Sequence, residues 1–240
     1  MLPSNLSEVA FTNTSEATYV QRIVGGEVRF PSHSKSCFLL YGKYGSGKTT
    51  LAHMLPTLLE HQNAETSERQ DNDWQYNYRS DATSVTPANS GKPALLPANF
   101  NIIDCGSHHS NAAISIIQDI EKKSRSDLSM VLRAGRFNHF LIDELDCWGE
   151  PAQAKLKGLI TSAPIWNVFY ITTNSKGKID EGIISRSIKI ELNGRDQKFY
   201  LEAVKKHFPH ITSYSEKQLC EIINACDCDW RQVEDMMNRL

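Results

Sequence analysis

The stretch "LLYGKYGSGKTT", Leu39 to Thr50, decides how this chain is read. An apolar run leads into glycines at 42, 45 and 47, and Lys48, Thr49 and Thr50 follow. Gly42 to Thr49 fits G-x-x-x-x-G-K-[ST], between a strand-like run and a helix-like one, the context that motif requires. The glycines let the backbone N–H groups of residues 45 to 50 turn inward around phosphate oxygens. A helix N-terminus adds its positive dipole end. Gly45, Ser46, Gly47, Lys48, Thr49 and Thr50 are therefore candidate nucleotide-binding residues. Lys48 is the point charge for the β- and γ-phosphates, and the Thr49 hydroxyl is a candidate ligand of Mg²⁺.

The second half of such a site is "HFLIDELD", residues 139 to 146. Three apolar residues, Phe140 to Ile142, carry Asp143 and Glu144 to the end of a strand. An aspartate there can hold Mg²⁺, and a glutamate beside it can polarise an attacking water. The pair argues for hydrolysis of a nucleotide rather than binding alone. Lys48 and Asp143 are 143 − 48 = 95 positions apart. That leaves room for one more strand, "FNIIDCG" (100–106), and one more helix, "NAAISIIQDIEKKS" (111–124), between the two motifs.

The rest of the chain extends this alternation. A helix is expected at "EATYVQRIV", ending in Gly25 and Gly26. "SCFLLYG" reads as a buried strand, and "GKTTLAHMLPTLLE" (47–60) as a helix that Pro56 must kink or end early. Beyond "HFLIDELD", "PAQAKLKGLITSA" (151–163) opens with proline at a helix entry, and "NVFYITTN" (167–174) and "SIKIEL" (187–192) are strands. Strands alternating with helices imply a parallel sheet with helices on both faces. From residue 194 the pattern becomes three helical segments with no strand, a small all-helical unit. Residues 61–98 are rich in Asn, Asp, Ser, Thr and Pro and read as a polar insertion, in which "WQYNYR" alternates aromatic and polar side chains.

Composition narrows the partners. The chain has 240 residues and a formal net charge of −2, so no global basic field draws it to nucleic acid. Any such contact must come from a local patch, and Lys122, Lys123, Arg125, Arg133 and Arg136 are the candidates. The start "MLPSNLSEVAF" lacks the features of a secretory signal, and no run is long and apolar enough to span a bilayer. Six cysteines in a chain of this length read as reduced thiols. The expected setting is cytoplasmic, or nuclear in a eukaryote. "CEIINACDC" (220–228) lacks the paired arms of a zinc site.

The ordered set of motifs resembles the AAA+ ATPases and, within them, the clamp-loader group, the small subunits of replication factor C and their bacterial relatives. "DELDCWGEPAQAKLKGLI" is similar to that group's acidic motif and the helix after it. "YITTN" puts Asn174 where the group has its sensor-1 residue. "EGIISRSIKIEL" resembles the Ser-Arg motif, so Arg186 matches the arginine finger. "CDWRQVEDMMNRL" resembles the lid helix, whose sensor-2 arginine would be Arg231. The resemblance implies an AAA+ core over 36–193, an N-terminal segment over 1–35 and a helical lid over 194–240. It implies ATP and Mg²⁺ as cofactors, and Lys48, Glu144, Asn174 and Arg186 as catalytic residues. It also implies a homo- or hetero-oligomer in which Arg186 acts in trans, with DNA and replication proteins as partners and no membrane.

Two departures stand out. Asp104 occupies a position where relatives often carry asparagine, which would bring a second carboxylate near Glu144 and raise one pKa. The chain ends at Leu240, just after the lid, where clamp loaders continue into a collar; a fragment or a collarless assembly is expected. A helicase loader or helicase-like motor, and a switch that binds ATP without hydrolysing it, are the other functions compatible with these motifs.

Overall fold

The computed structural model describes residues 6–61, 100–107, 110–125, 137–193, 197–211, 214–227 and 229–240. Its centre is a five-stranded parallel sheet: β1 (Cys37–Tyr41), β2 (Phe100–Asp104), β3 (Asn138–Asp143), β4 (Asn167–Thr173) and β5 (Ser187–Glu191), in lateral order β2-β3-β4-β1-β5. β1 lies between β4 and β5, with Cys37 opposite both Phe169 and Ser187. β3 pairs with β4 from Asn138↔Asn167 to Ile142↔Ile171. The inner strands are buried along nearly their whole length because helices cover both faces.

Side chains alternate between the two faces, as the pleat requires. Phe38, Leu40 and Tyr170 point to one layer, formed with α1 (Thr14–Val24) and α2 (Lys48–His61). Leu39, Phe169 and Ile171 point to the other, formed with α3 (Ser110–Arg125), α4 (Glu150–Ser162) and α5 (Glu181–Ser185). The N-terminal segment belongs to the first layer. Val9, Phe11, Val20, Ile23 and Phe30 share its core with β1 and α2.

The helix after the phosphate loop does not end early at Pro56; it continues to His61. Pro56 cannot donate to the carbonyl four residues back, a cost of ~3 kcal/mol in an ordinary helix interior. Leu51, Met54, Leu55 and Leu59 are buried against the sheet on either side of it. Each such side chain contributes about 1.5–3 kcal/mol by leaving water, so packing outweighs the missing bond. The polar insertion, with "WQYNYR", lies outside the described residues except for His61.

The lid is three helices around their own core: α6 (Gln197–His207), α7 (Glu216–Ala225) and α8 (Trp230–Arg239). Tyr200, Val204, Leu219, Ile223, Val233 and Met237 fill it. Ser215 and Gln218 cap α7 reciprocally, satisfying orphan N–H groups of its first turn. Asp229 caps α8 by accepting from the Arg231 N–H at 2.9 Å. Cys220 and Cys226 contribute to this lid core, while Cys228 lies outside the described residues.

Candidate functional site

The loop between β1 and α2 turns on glycines. Gly45 and Gly47 hold φ of 69° and 88°, which disfavours any residue with a β-carbon. At Gly45 space is closed as well: a β-carbon would lie 1.8 Å from the Asp229 carboxylate of the lid. The loop and the lid are thus in direct contact, and Lys43 and Asp227 add an ion pair at 2.9 Å.

Lys48 opens α2 and is buried. Its ammonium donates to the Gly42 carbonyl at 3.0 Å, to the Lys43 carbonyl, and to the Ser46 hydroxyl at 3.4 Å. Burial pushes its pKa down to about 8; the Arg231 guanidinium adds to the fall, and Asp143, Asp146 and Glu144 oppose it. Thr49, the next residue, donates its hydroxyl to the Asp143 carboxylate at 3.1 Å. The two halves of the motif set meet there.

Glu144 follows Asp143 in a left-handed conformation, φ 56° and ψ 47°. Few residues other than glycine adopt it without surrounding support. Its N–H donates to the Thr172 hydroxyl at 2.9 Å. Its carboxylate reaches back over Gly106, where an added β-carbon would lie 2.9 Å from Oε2 and 3.3 Å from the Asp104 carboxylate. Burial, then Asp143, then Asp104 and Asp146 hold the Glu144 carboxyl above its ordinary range, with Arg231 opposing them. The second carboxylate expected at Asp104 is present and acts in the expected direction, behind burial and Asp143.

A cavity of about 360 Å³ collects these groups. Gly45, Ser46, Gly47, Lys48, Thr49, Thr50, Glu144, Asn174 and Arg231 all line it, and Asp143 stands behind Thr49. Asn174 ends β4, and its N–H donates to Asp146 Oδ1 at 3.2 Å. Arg231 reaches the cavity from the start of α8.

Arg186 is not among the lining residues. It caps α5 just before β5, and its Nη1 donates to the Gly182 carbonyl at 2.9 Å. Because Ser187 pairs with Cys37 at the start of β1, Arg186 sits at the opposite sheet edge from the phosphate loop, which follows the end of β1.

Several cavity residues had no signal in the sequence. Glu8, Val9 and Ala10 come from the N-terminal segment, and Tyr200, Lys206 and Trp230 from the lid. Glu8 and Lys206 form an ion pair at 2.6 Å between those two parts. Gln153, from the "PAQ" helix opening, is buried and donates to the Trp148 and Lys178 carbonyls, bracing the acidic loop against the turn after Asn174.

Three of the basic candidates for nucleic-acid contact are engaged within the chain. Lys122 pairs with Asp119 at 3.4 Å, Lys123 donates to Asn101 at 3.0 Å, and Arg125 donates to Ser162 at 2.8 Å. Arg133 and Arg136 lie outside the described residues. Among the described residues no helix is long and apolar enough to cross a membrane.

No protein-family model matches the sequence, and no curated protein does. Solved structures do. A point mutant of RuvB from Thermotoga maritima matches at TM-score 0.54 and 16% identity, over 93% of this chain and 60% of that one. A DNA polymerase III gamma subunit-related protein from Thermotoga maritima matches at 0.48 and 11%, over 82% and 51%. PCH-2 from C. elegans matches at 0.47 and 14%, over 86% and 50%. The chain thus spans about half to three fifths of the length of these structures. The likeness to RuvB is one of fold: a five-stranded parallel sheet flanked by helices, the α/β architecture expected of an AAA+ core, here with three further helices packed beside the glycine loop.

Proposed function

We propose that this chain is a Mg²⁺-dependent ATPase that couples hydrolysis to remodelling of a DNA replication assembly, in the manner of clamp loaders. The observation that carries the hydrolase reading is the convergence of Lys48, Thr49, Glu144 and Asn174 on one cavity, with Asp143 joined to Thr49. A loop that only bound nucleotide would not need the second carboxylate at the end of β3.

The residues fit the cofactor. The Thr49 hydroxyl and the Asp143 carboxylate are hard oxygen donors, already within 3.1 Å of one another, as a Mg²⁺ site requires. When bound, the ion would offset the charge of the β- and γ-phosphate oxygens. Lys48 exchanges its carbonyl partners for phosphate oxygens. The loop N–H groups and the α2 N-terminus cradle the remaining charge. Glu144 accepts a proton from the attacking water, and its raised pKa brings it nearer the working pH of a general base. Asn174 holds that water or the γ-phosphate, and Arg231 approaches from the lid. Arg186 serves a neighbour's nucleotide, a reading supported by its position at the opposite edge of the sheet.

The coupling to a replication assembly rests on the five ordered motifs shared with the clamp-loader group. It is tested by ATP turnover without DNA and with single-stranded, double-stranded and primed DNA, alongside mass in solution with ATP. Stimulation by primed DNA in an ATP-dependent oligomer is the expected result. Stimulation by single-stranded DNA alone would replace the clamp-loader reading with a helicase-like one. Absence of turnover under every condition would leave a binding switch.

A further inference from the structure

The β3–β4 ladder stops just short of the candidate site. Its last pair is Ile142↔Ile171, so Asp143 to Asp146 and Thr172 to Asn174 run on without it. Side chains take over. Thr172, 1% exposed, donates its hydroxyl to Asp143 Oδ1 at 2.5 Å and accepts the Glu144 N–H at 2.9 Å. Asp146 Oδ1 accepts from the Thr173 hydroxyl at 2.8 Å and from the Asn174 N–H at 3.2 Å, which ties down the end of β4.

The direction of these bonds is fixed by chemistry. The Asp143 carboxylate, once ionised, can only accept, so the single Thr172 proton goes to it. The lone pairs of the same oxygen are then left for the Glu144 N–H. One atom therefore sets two groups: the carboxylate that faces Thr49, and the peptide that enters the left-handed conformation at Glu144. Without that acceptor, no other hydrogen bond among the described residues holds the Glu144 N–H, and the residue is free to relax to a more populated backbone region. Its carboxylate would then swing away from the cavity.

We propose that Thr172 is a positioning residue for the acidic pair, its hydroxyl holding Asp143 toward Thr49 and Glu144 in the left-handed turn that aims its carboxylate into the cavity. This rests on reading Glu144 as the general base. Thr172 borders the same cavity, and in that scheme it acts through Glu144 and Asp143.

Four variants of the full chain decide it: Thr172→Val, which keeps the shape but loses both bonds; Thr172→Ser, which keeps the hydroxyl; Glu144→Gln; and the double variant Thr172→Val/Glu144→Gln. ATP affinity, kcat and KM are read for each. Thr172→Val should lower kcat by roughly 10²-fold, the lower end for a general base, with KM within a few-fold. Thr172→Ser should recover most of that loss. The double variant should be slower than Glu144→Gln by far less than the full Thr172 factor, the remainder being the share carried through Asp143, because groups that act through one another are not additive. If Thr172→Val does not fold, Thr172→Ala replaces it, removing the hydroxyl without adding a methyl. Wild-type kcat in the hydroxyl-free variant, or a double variant slower than Glu144→Gln by the full Thr172 factor, overturns the proposal and leaves the base assignment standing. Undiminished turnover in Glu144→Gln overturns the base assignment, and the positioning role with it.

Discussion

The Thr49 hydroxyl and the Asp143 carboxylate are 3.1 Å apart, although 94 positions separate them in the chain. β1 and β3 are not neighbours in the sheet; β4 runs between them. The contact exists because all the strands are parallel, so the residues after β1 and at the end of β3 emerge at the same edge. Ligands of open parallel sheets bind outside that edge, and the proposed ATPase places its chemistry there.

Lys48 sets the first expectation. Lys48→Ala removes the charged group of the phosphate loop and should abolish tight ATP·Mg²⁺ binding. Burial holds the ammonium at a pKa of about 8. In the free protein it therefore loses charge as pH rises through that value, and ATP affinity should weaken about tenfold per pH unit above it. Titration with a fluorescent ATP analogue from pH 6.5 to 9.5 measures this, and a flat profile would take Lys48 out of phosphate recognition.

Glu144→Gln should still bind ATP and turn it over at least ~10²-fold more slowly. The wild-type rate should fall on acidification, because a base works only when deprotonated. Its carboxyl is held above the ordinary range, so that fall should begin at a higher pH than for an exposed glutamate. A pH–rate profile under saturating ATP reads the limb directly.

Arg186→Ala should fold and bind ATP almost normally, since among the described residues its guanidinium bonds only to the Gly182 carbonyl and Ser185 of its own helix turn. Turnover should drop steeply, an arginine finger being worth ~10³–10⁵ in rate. Mixing it with Glu144→Gln is the sharper measurement. Each variant keeps what the other lacks, so activity should return in mixed oligomers if the finger acts in trans. Failure to recover, with subunit exchange demonstrated, would assign Arg186 to a structural role.

A fourth expectation concerns stability at the edge of the sheet where the strands begin. His139 is fully buried, with Nδ1 2.8 Å from the Tyr170 hydroxyl and Nε2 2.9 Å from Glu60. Glu60 also accepts the Phe137 N–H at 2.8 Å. Glu60→Ala strips both groups of this partner and should cost about 2–3 kcal/mol in urea denaturation, the scale for buried polar groups left unpaired. Burial lowers the His139 pKa below its usual 6.5, with Glu60 opposing. A depressed imidazole favours the folded state fully above that value. Stability should therefore decline as pH falls below about 6.5, where the unfolded chain takes up the proton first.

The sequence by itself determined the alternation of strands and helices, the glycine loop after β1, the acidic pair at the end of β3 and the three helices that follow β5. These are written in local periodicity and fixed spacing, and each needs only neighbours along the chain to be recognised. Pro56 shows where local reading stops, since the helix continues through it on the strength of buried leucines that only packing supplies. The same limit explains the cavity's other residues. Val9 and Ala10 carry no motif; they reach the site because Phe11 and Val20 share a core with β1 and α2. Nor does anything local distinguish Thr172 from Thr173. One hydroxyl faces Asp143 and the other Asp146 because successive side chains on a strand point to opposite sides. Which side meets which carboxylate was decided by the register of β4 against β3, a relation between segments nearly thirty residues apart that no single stretch of sequence contains.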